Sequence, residues 1–169
     1  MKTYHVDWYG PFSKYEIGND LVSRIGFKGN GLYLVTGKGS NRQNKPELKY
    51  VGITERDYAA RFDPYHTLND IIHPELWLGR VYGDIENERQ ALEDAEHMLI
   101  YFSDYKLKNV KKTASPPKED MTVLSNWFSR DVTCRKRHAS ALVDFADVLI
   151  WYSSEQRLRY AYRLHELLY

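Results

Sequence analysis

The chain holds a single cysteine, Cys134, in 169 residues. An internal disulfide and a zinc cluster built on cysteines are therefore excluded. No apolar run approaches the roughly 18 residues of a membrane-spanning helix. Met1 to Trp8 mix Lys2, His5 and Asp7 with aromatics, so the sequence opens on no apolar signal-peptide core, and the cytoplasm is the expected compartment. There is no internal repeat and no low-complexity tract. An excess of charge is also missing: 24 Lys and Arg stand against 23 Asp and Glu, for a net charge of +1. The overall balance thus offers no argument for nucleic acid. What the chain does have is a hydrophobic fraction of 43% with 14% aromatics, which excludes disorder. Its length suits one domain able to bury a real core.

The charge is unevenly spread. Residues 1–100 carry 12 bases and 15 acids, whereas residues 101–169 carry 12 bases and 8 acids. Lys28 to Arg61 is basic, Asp63 to Glu96 is acidic, and Lys106 to Lys112 is a compact basic block. Such blocks either form a solvated surface or combine into a face of one sign.

Local patterns predict the elements. Gly31-Leu32-Tyr33-Leu34-Val35 reads as a buried strand and Leu48 to Ile53 as its hairpin partner, joined by the polar loop Gly37 to Glu47. Thr54 and Asp57 have capping-box spacing, so a helix is expected through Tyr58 to Phe62, ending before Pro64. Leu76 to Gly83 reads as a third strand. Ala91, Leu92, Ala95, Leu99 and Ile100 recur at helical spacing within Glu86 to Tyr101. Pro116-Pro117 marks a linker. Beyond it, Val123, Leu124, Trp127 and Phe128 suggest a short helix, Val148 to Tyr152 a strand, and Ser154 to Leu168 a C-terminal helix. Tyr4 to Trp8 alternates like an edge strand. These elements predict an α/β (α+β) fold: a small three-stranded antiparallel sheet flanked by helices, with a C-terminal α/β elaboration. The expected layout is an N-terminal arm over 1–30, a core over 31–112 and the elaboration over 113–169, packed as one compact domain.

Along this order sit Tyr33, Tyr50, Arg61, Glu96 and Asn109. The triplets Gly31-Leu32-Tyr33 and Tyr50-Val51-Gly52, the segment Asp57-Tyr58-Ala59-Ala60-Arg61, the run Glu96-His97-Met98-Leu99-Ile100, and Asn109 downstream together resemble the GIY-YIG nuclease superfamily. The resemblance spans about Gly31 to Asn109. The gap between Tyr33 and Tyr50 is longer than usual for that family because of the Gly37–Glu47 loop, an insertion a hairpin tolerates at little entropic cost. The family's His or Tyr four residues after the Arg falls on Tyr65, with His66 beside it. The resemblance implies a divalent-metal-dependent DNA endonuclease. In it Tyr33 would activate water, Tyr50 would position water or phosphate, Arg61 would clamp phosphate, Glu96 would hold Mg²⁺ (or Mn²⁺) and Asn109 would support the site.

The chemistry of those residue types agrees with that reading. Phosphodiester hydrolysis needs an activated water and charge neutralisation on the phosphoryl oxygens. A single carboxylate suffices for Mg²⁺, which keeps waters and takes phosphate oxygens. Strand alternation lets Tyr33 and Tyr50 meet across a hairpin. A Tyr pKa near 10 makes a poor base unless a cation lowers it, and Lys49 or the metal could do so. Glu96 lies among Glu86, Glu88, Glu93 and Asp94, so a solvated acidic face competes with metal binding, and Glu93 is the rival ligand. Candidate contacts to double-stranded DNA are Lys49, Arg56, Lys106, Lys108 and the cluster Arg135, Lys136 and Arg137. Two other readings stay open: a non-catalytic nucleic-acid- or protein-binding domain on the same fold, and an RNA-directed nuclease.

Overall fold

A computed structural model describes residues 1–13, 16–17, 31–56, 58–62, 70–83, 85–135 and 139–164. Seven strands form one sheet: β1 (Lys2–Phe12), β2 (Gly31–Lys38), β3 (Glu47–Thr54), β4 (Ile72–Gly83), β5 (Met121–Phe128), β6 (Val148–Tyr152) and β7 (Arg157–Ala161). Among the described residues the α-helices are the four-residue α1 (Tyr58–Arg61) and α2 (Glu88–Tyr101), with a short 3-10 turn over Ser140–Leu142. The strand order is β3-β2-β4-β1-β5-β6-β7. All neighbours are antiparallel except β1 and β5, which run parallel in register from Lys2 opposite Met121 to Tyr9 opposite Phe128.

The predicted three-stranded sheet flanked by helices is corrected by this arrangement. Strands β3, β2 and β4 are one end of a larger, curled, mixed sheet, and one long helix serves it. Tyr4 to Trp8, read as an edge strand, lies in β1, which sits between β4 and β5. The alternation was real, but it reports which face is covered and says nothing of neighbours. The short helix expected around Val123 to Phe128 is β5, where Val123, Ser125 and Trp127 are buried at period 2. The C-terminal helix expected over 154–168 is replaced by a turn and β7, whose residues pair with β6 from Tyr152 opposite Arg157 to Val148 opposite Ala161. Residues 165–169 lie outside the described residues.

Strand alternation sorts the core onto two faces. On the concave face, Tyr4, Val6, Trp8, Leu32, Leu34, Trp77, Val123, Leu149 and Trp151 pack with Ala91, Leu92, Ala95, Met98 and Leu99 of α2. On the convex face, Tyr9, Phe12, Tyr33, Val35, Leu76 and Leu78 pack with Tyr58 and Ile71. The helix starts where Asn87 Oδ1 accepts the Gln90 N–H at 3.1 Å. It is tied to β1 through the buried Asp94, which accepts from the Tyr4 hydroxyl at 2.8 Å and from Lys2 Nζ at 3.4 Å. At the concave centre Trp8 stacks on Trp127 with centroids 5.9 Å apart, and Trp77 meets Trp127 edge to face at 5.3 Å. No described helix is long and apolar enough to cross a membrane.

Asp147 locks this aromatic centre to the chain end. Its carboxylate accepts from Trp127 Nε1 at 2.6 Å and from the Leu164 N–H at 3.2 Å. Its backbone carbonyl accepts from the Ser125 N–H at 2.7 Å. Replacing Asp147 with Ala strands buried donors, so urea unfolding of the variant should show a loss of about 2–4 kcal/mol. A loss below about 0.5 kcal/mol would show that water restores those bonds.

Candidate functional site

The hairpin of β2 and β3 carries both tyrosines on its convex side. Tyr33 is directly opposite Gly52, and Tyr50 is opposite Val35. Their rings stack at 5.9 Å with planes 17° apart. The short helix α1 then delivers Arg61, whose Nε–H donates to the Tyr33 hydroxyl at 3.2 Å, and Phe62, whose ring meets Tyr33 edge-on at 4.9 Å. Three of the residues singled out by sequence, Tyr33, Tyr50 and Arg61, are thus brought together.

The two signature glycines have steric reasons that the sequence alone did not reveal. A Cβ on Gly52 would lie 2.5 Å from the Tyr33 ring and hydroxyl. A Cβ on Gly31 would lie 1.8 Å from the Tyr58 hydroxyl, which donates to the Leu32 carbonyl at 3.1 Å. Tyr58 and Phe62 are therefore site residues that sequence reasoning missed. Their signal was helical spacing beside Arg61, which reads equally well as core packing.

Tyr33 is fully buried, and that burial pushes its phenol well above the ordinary tyrosine range. Tyr50 adds to the shift, while the Arg61 guanidinium opposes it. The nearby cation is thus Arg61. Lys49, suggested for that part, is a buried lysine whose Nζ pairs with Glu47 at 3.1 Å.

Glu96 is placed elsewhere. It lies on α2, which packs against the concave face through Ala91, Leu92, Ala95 and Leu99. Its carboxylate accepts from Lys112 Nζ at 2.7 Å, and Lys112 also bonds the Glu93 carbonyl at 2.9 Å. The Glu96 side chain is only 13% exposed. As a hard oxygen donor already beside an ammonium, it fits a cation, and Mg²⁺ needs few protein ligands. Loading a metal there requires Lys112 to yield. Glu93 points its carboxylate to Arg89 at 2.6 Å.

Asn109 grips the edge strand. Its Oδ1 accepts the Val51 N–H at 3.1 Å, and its Nδ2 donates to the Val51 carbonyl at 2.7 Å. The Lys108 N–H donates to the Lys49 carbonyl at 2.7 Å. The segment therefore satisfies an exposed β3 edge that would otherwise offer itself to another chain.

The basic residues named from sequence are dispersed. Arg56, Lys106 and Lys108 are exposed, and Lys108 Nζ lies 3.4 Å from the Asp70 carbonyl. The Arg135 guanidinium sits 5.4 Å over the Trp77 ring. Tyr65, His66, Asp57, Lys136 and Arg137 lie outside the described residues. Among the described residues, no three His, Cys, Asp or Glu side chains gather as a metal site.

No protein-family model, no curated protein and no solved structure matches the chain. The functional reading accordingly rests on the residues and their geometry.

Two outcomes follow. Asn109→Ala removes both bonds to Val51, so it should lower unfolding free energy by about 1–3 kcal/mol and speed hydrogen exchange along β3. Unchanged exchange would mean the edge is held without Asn109. The second concerns alkali. Tyr33 is raised in the folded state, so it binds a proton there that the unfolded chain releases near pH 10. Its contribution is complete below about pH 10 and is lost as pH climbs towards the folded value. Melting temperature should fall between about pH 10 and 11.5, and less steeply in Tyr33→Phe. Identical slopes would remove Tyr33 from the alkaline transition.

Proposed function

We propose that the protein is a nucleic-acid phosphodiester hydrolase, a metal-dependent endonuclease acting on double-stranded DNA. The carrying observation is the Arg61 Nε–H bond to the Tyr33 hydroxyl beneath the stacked Tyr50 ring. An arginine anchored through Nε holds its planar fork in one place, as bidentate contact with phosphate oxygens requires. Burial keeps Tyr33 protonated at neutral pH. Its part is therefore to accept from Arg61 and hold that guanidinium in place, instead of the base role implied by the family. Tyr50, half-buried above it, closes the cluster against solvent. Mg²⁺ or Mn²⁺, held by the Glu96 carboxylate, would supply neutralisation of phosphoryl charge.

A second reading, a non-catalytic nucleic-acid-binding domain, is favoured by one feature: Glu96 pairs with Lys112 on α2, across the sheet from Arg61. Plasmid nicking separates the two. Wild type should nick supercoiled DNA with Mg²⁺ or Mn²⁺ and not with EDTA, and Arg61→Ala and Glu96→Gln should each lose at least about 100-fold. Full activity in Glu96→Gln would remove the metal role. Binding of DNA without cleavage of either DNA or RNA by wild type would establish the second reading, and cleavage of RNA alone would move the substrate.

A further inference from the structure

The apolar cluster on the convex face ends at Leu78, Tyr9 and Phe128, and beyond it Thr122 of β5 and Val148 of β6 are also buried on this side. Beyond that line the same face continues over β4, β1, β5, β6 and β7. Its alternation places Arg80 and Tyr82 of β4, His5 of β1, Tyr152 of β6, and Arg157 and Arg159 of β7 on this side. His5, Arg80, Arg157 and Arg159 are exposed. Two arginines sit over tyrosine rings: Arg80 Cζ is 5.0 Å from the Tyr82 centroid, and Arg157 Cζ is 4.9 Å from that of Tyr152. The second pair is formed directly across the β6–β7 register.

This platform adjoins the Tyr33 cluster. Tyr33 pairs with Leu78 across β2 and β4, and Arg80 is two residues further along the same strand. Same-face neighbours on a strand are about 6.6 Å apart. From β4 to β7 the face crosses four strand spacings, roughly 19 Å in all.

We propose that this open convex face docks an unpaired nucleic-acid strand leaving the Arg61 cluster. Charge complementarity selects the occupant: Arg80 and Arg159 face a polyanion with no ion pair to another described residue, while Arg157 pairs with Glu155 at 2.8 Å and Asp7, opposite Arg80 across β1 and β4, accepts from Asn126 Nδ2 at 3.0 Å. Planarity selects the single strand. A guanidinium plane held on a tyrosine presents a flat cationic surface on which an unstacked base can lie, while its N–H groups reach phosphates. A duplex hides its base faces and would use the arginines alone. The inference rests on the nucleic-acid half of the proposed function and adds an unpaired strand beside the duplex at the Arg61 cluster.

The test is fluorescence anisotropy in EDTA, so that cleavage plays no part. The probes are a labelled 20-nucleotide thymidine oligonucleotide and a 20-base-pair duplex, each titrated from 50 to 200 mM salt. Wild type should bind the single strand more tightly. The double variant Arg80→Ala/Arg159→Ala, with wild-type melting temperature, should weaken single-strand binding at least about tenfold. It should also flatten the plot of log affinity against log salt by about 1.4, from two lost phosphate contacts. Tyr152→Leu should weaken binding with little change in slope. Arg42→Ala/Lys45→Ala, on the hairpin loop, removes equal charge and should have little effect. The proposal is overturned if the double variant binds as wild type, if the loop control weakens binding equally, or if the duplex is the tighter ligand. Its failure is separable from that of the catalytic reading: wild type that binds DNA and cleaves neither DNA nor RNA sinks the latter alone, and unaltered binding in the double variant sinks this surface alone.

Discussion

Everything in this fold depends on β1 pairing on both sides. Its antiparallel contact with β4 joins it to the β2–β3 hairpin, and its parallel contact with β5 joins it to the C-terminal hairpin. Parallel pairing between residues more than a hundred positions apart is a contact of high loop-closure cost. It needs strong side-chain support, and Trp8 supplies it. The indole donates to Ser125 Oγ at 3.1 Å and stacks on Trp127, both on the parallel partner strand. Gly79 on the antiparallel partner makes room, since a Cβ there would lie 2.5 Å from the Trp8 ring. One side chain thus reaches into both halves of the sheet.

The curl of the sheet follows from filling only one face deeply. The concave side takes α2 and the tryptophan cluster, and the described apolar cluster on the convex side lies near β2 and β4. This asymmetry separates the candidate groups chemically. Arg61 and the tyrosines share the convex side, whereas Glu96 belongs to the helix on the other. For the proposed metal-assisted reaction, Glu96 and Arg61 would have to cooperate around β3, the strand whose outer edge Asn109 holds through Val51. Asn109 therefore couples the position of that edge to the segment carrying Lys112, and Lys112 in turn occupies Glu96. A shift of this short segment would alter the edge and the carboxylate together.

What could be read from the sequence was local. The β2–β3 hairpin showed in Gly31 to Val35 and Leu48 to Ile53, and α2 in the spacing of Ala91, Leu92, Ala95 and Leu99. The meeting of Tyr33 with Tyr50 followed from alternation across a hairpin. What failed was non-local. In Arg157-Leu158-Arg159-Tyr160-Ala161, residues with good helical spacing become a strand because β6 offers unpaired backbone groups, and packing of Leu158 against the core outweighs weak propensity. In Met121 to Phe128, apolar residues at positions 123, 124, 127 and 128 fit a helix, yet pairing with β1 imposes period 2. The placement of Glu96 opposite Arg61 was equally hidden, because a motif gives the order of residues and not which side of a sheet each will face.

The net charge of +1 takes its meaning from where the pairs form. Several acids around α2 are matched locally: Asp94 by Lys2, Glu96 by Lys112, and Glu93 and Glu55 by Arg89. These pairs gather around the helix. On the convex face Arg157 pairs with Glu155, whereas Arg80 and Arg159 form no ion pair with another described residue. Neutrality summed over the chain is thus compatible with a cationic face, because the neutralising carboxylates are engaged elsewhere. At physiological ionic strength the screening length is about 8 Å. A polyanion lying on that face is accordingly governed by the arginines it touches and only weakly by the carboxylates around α2.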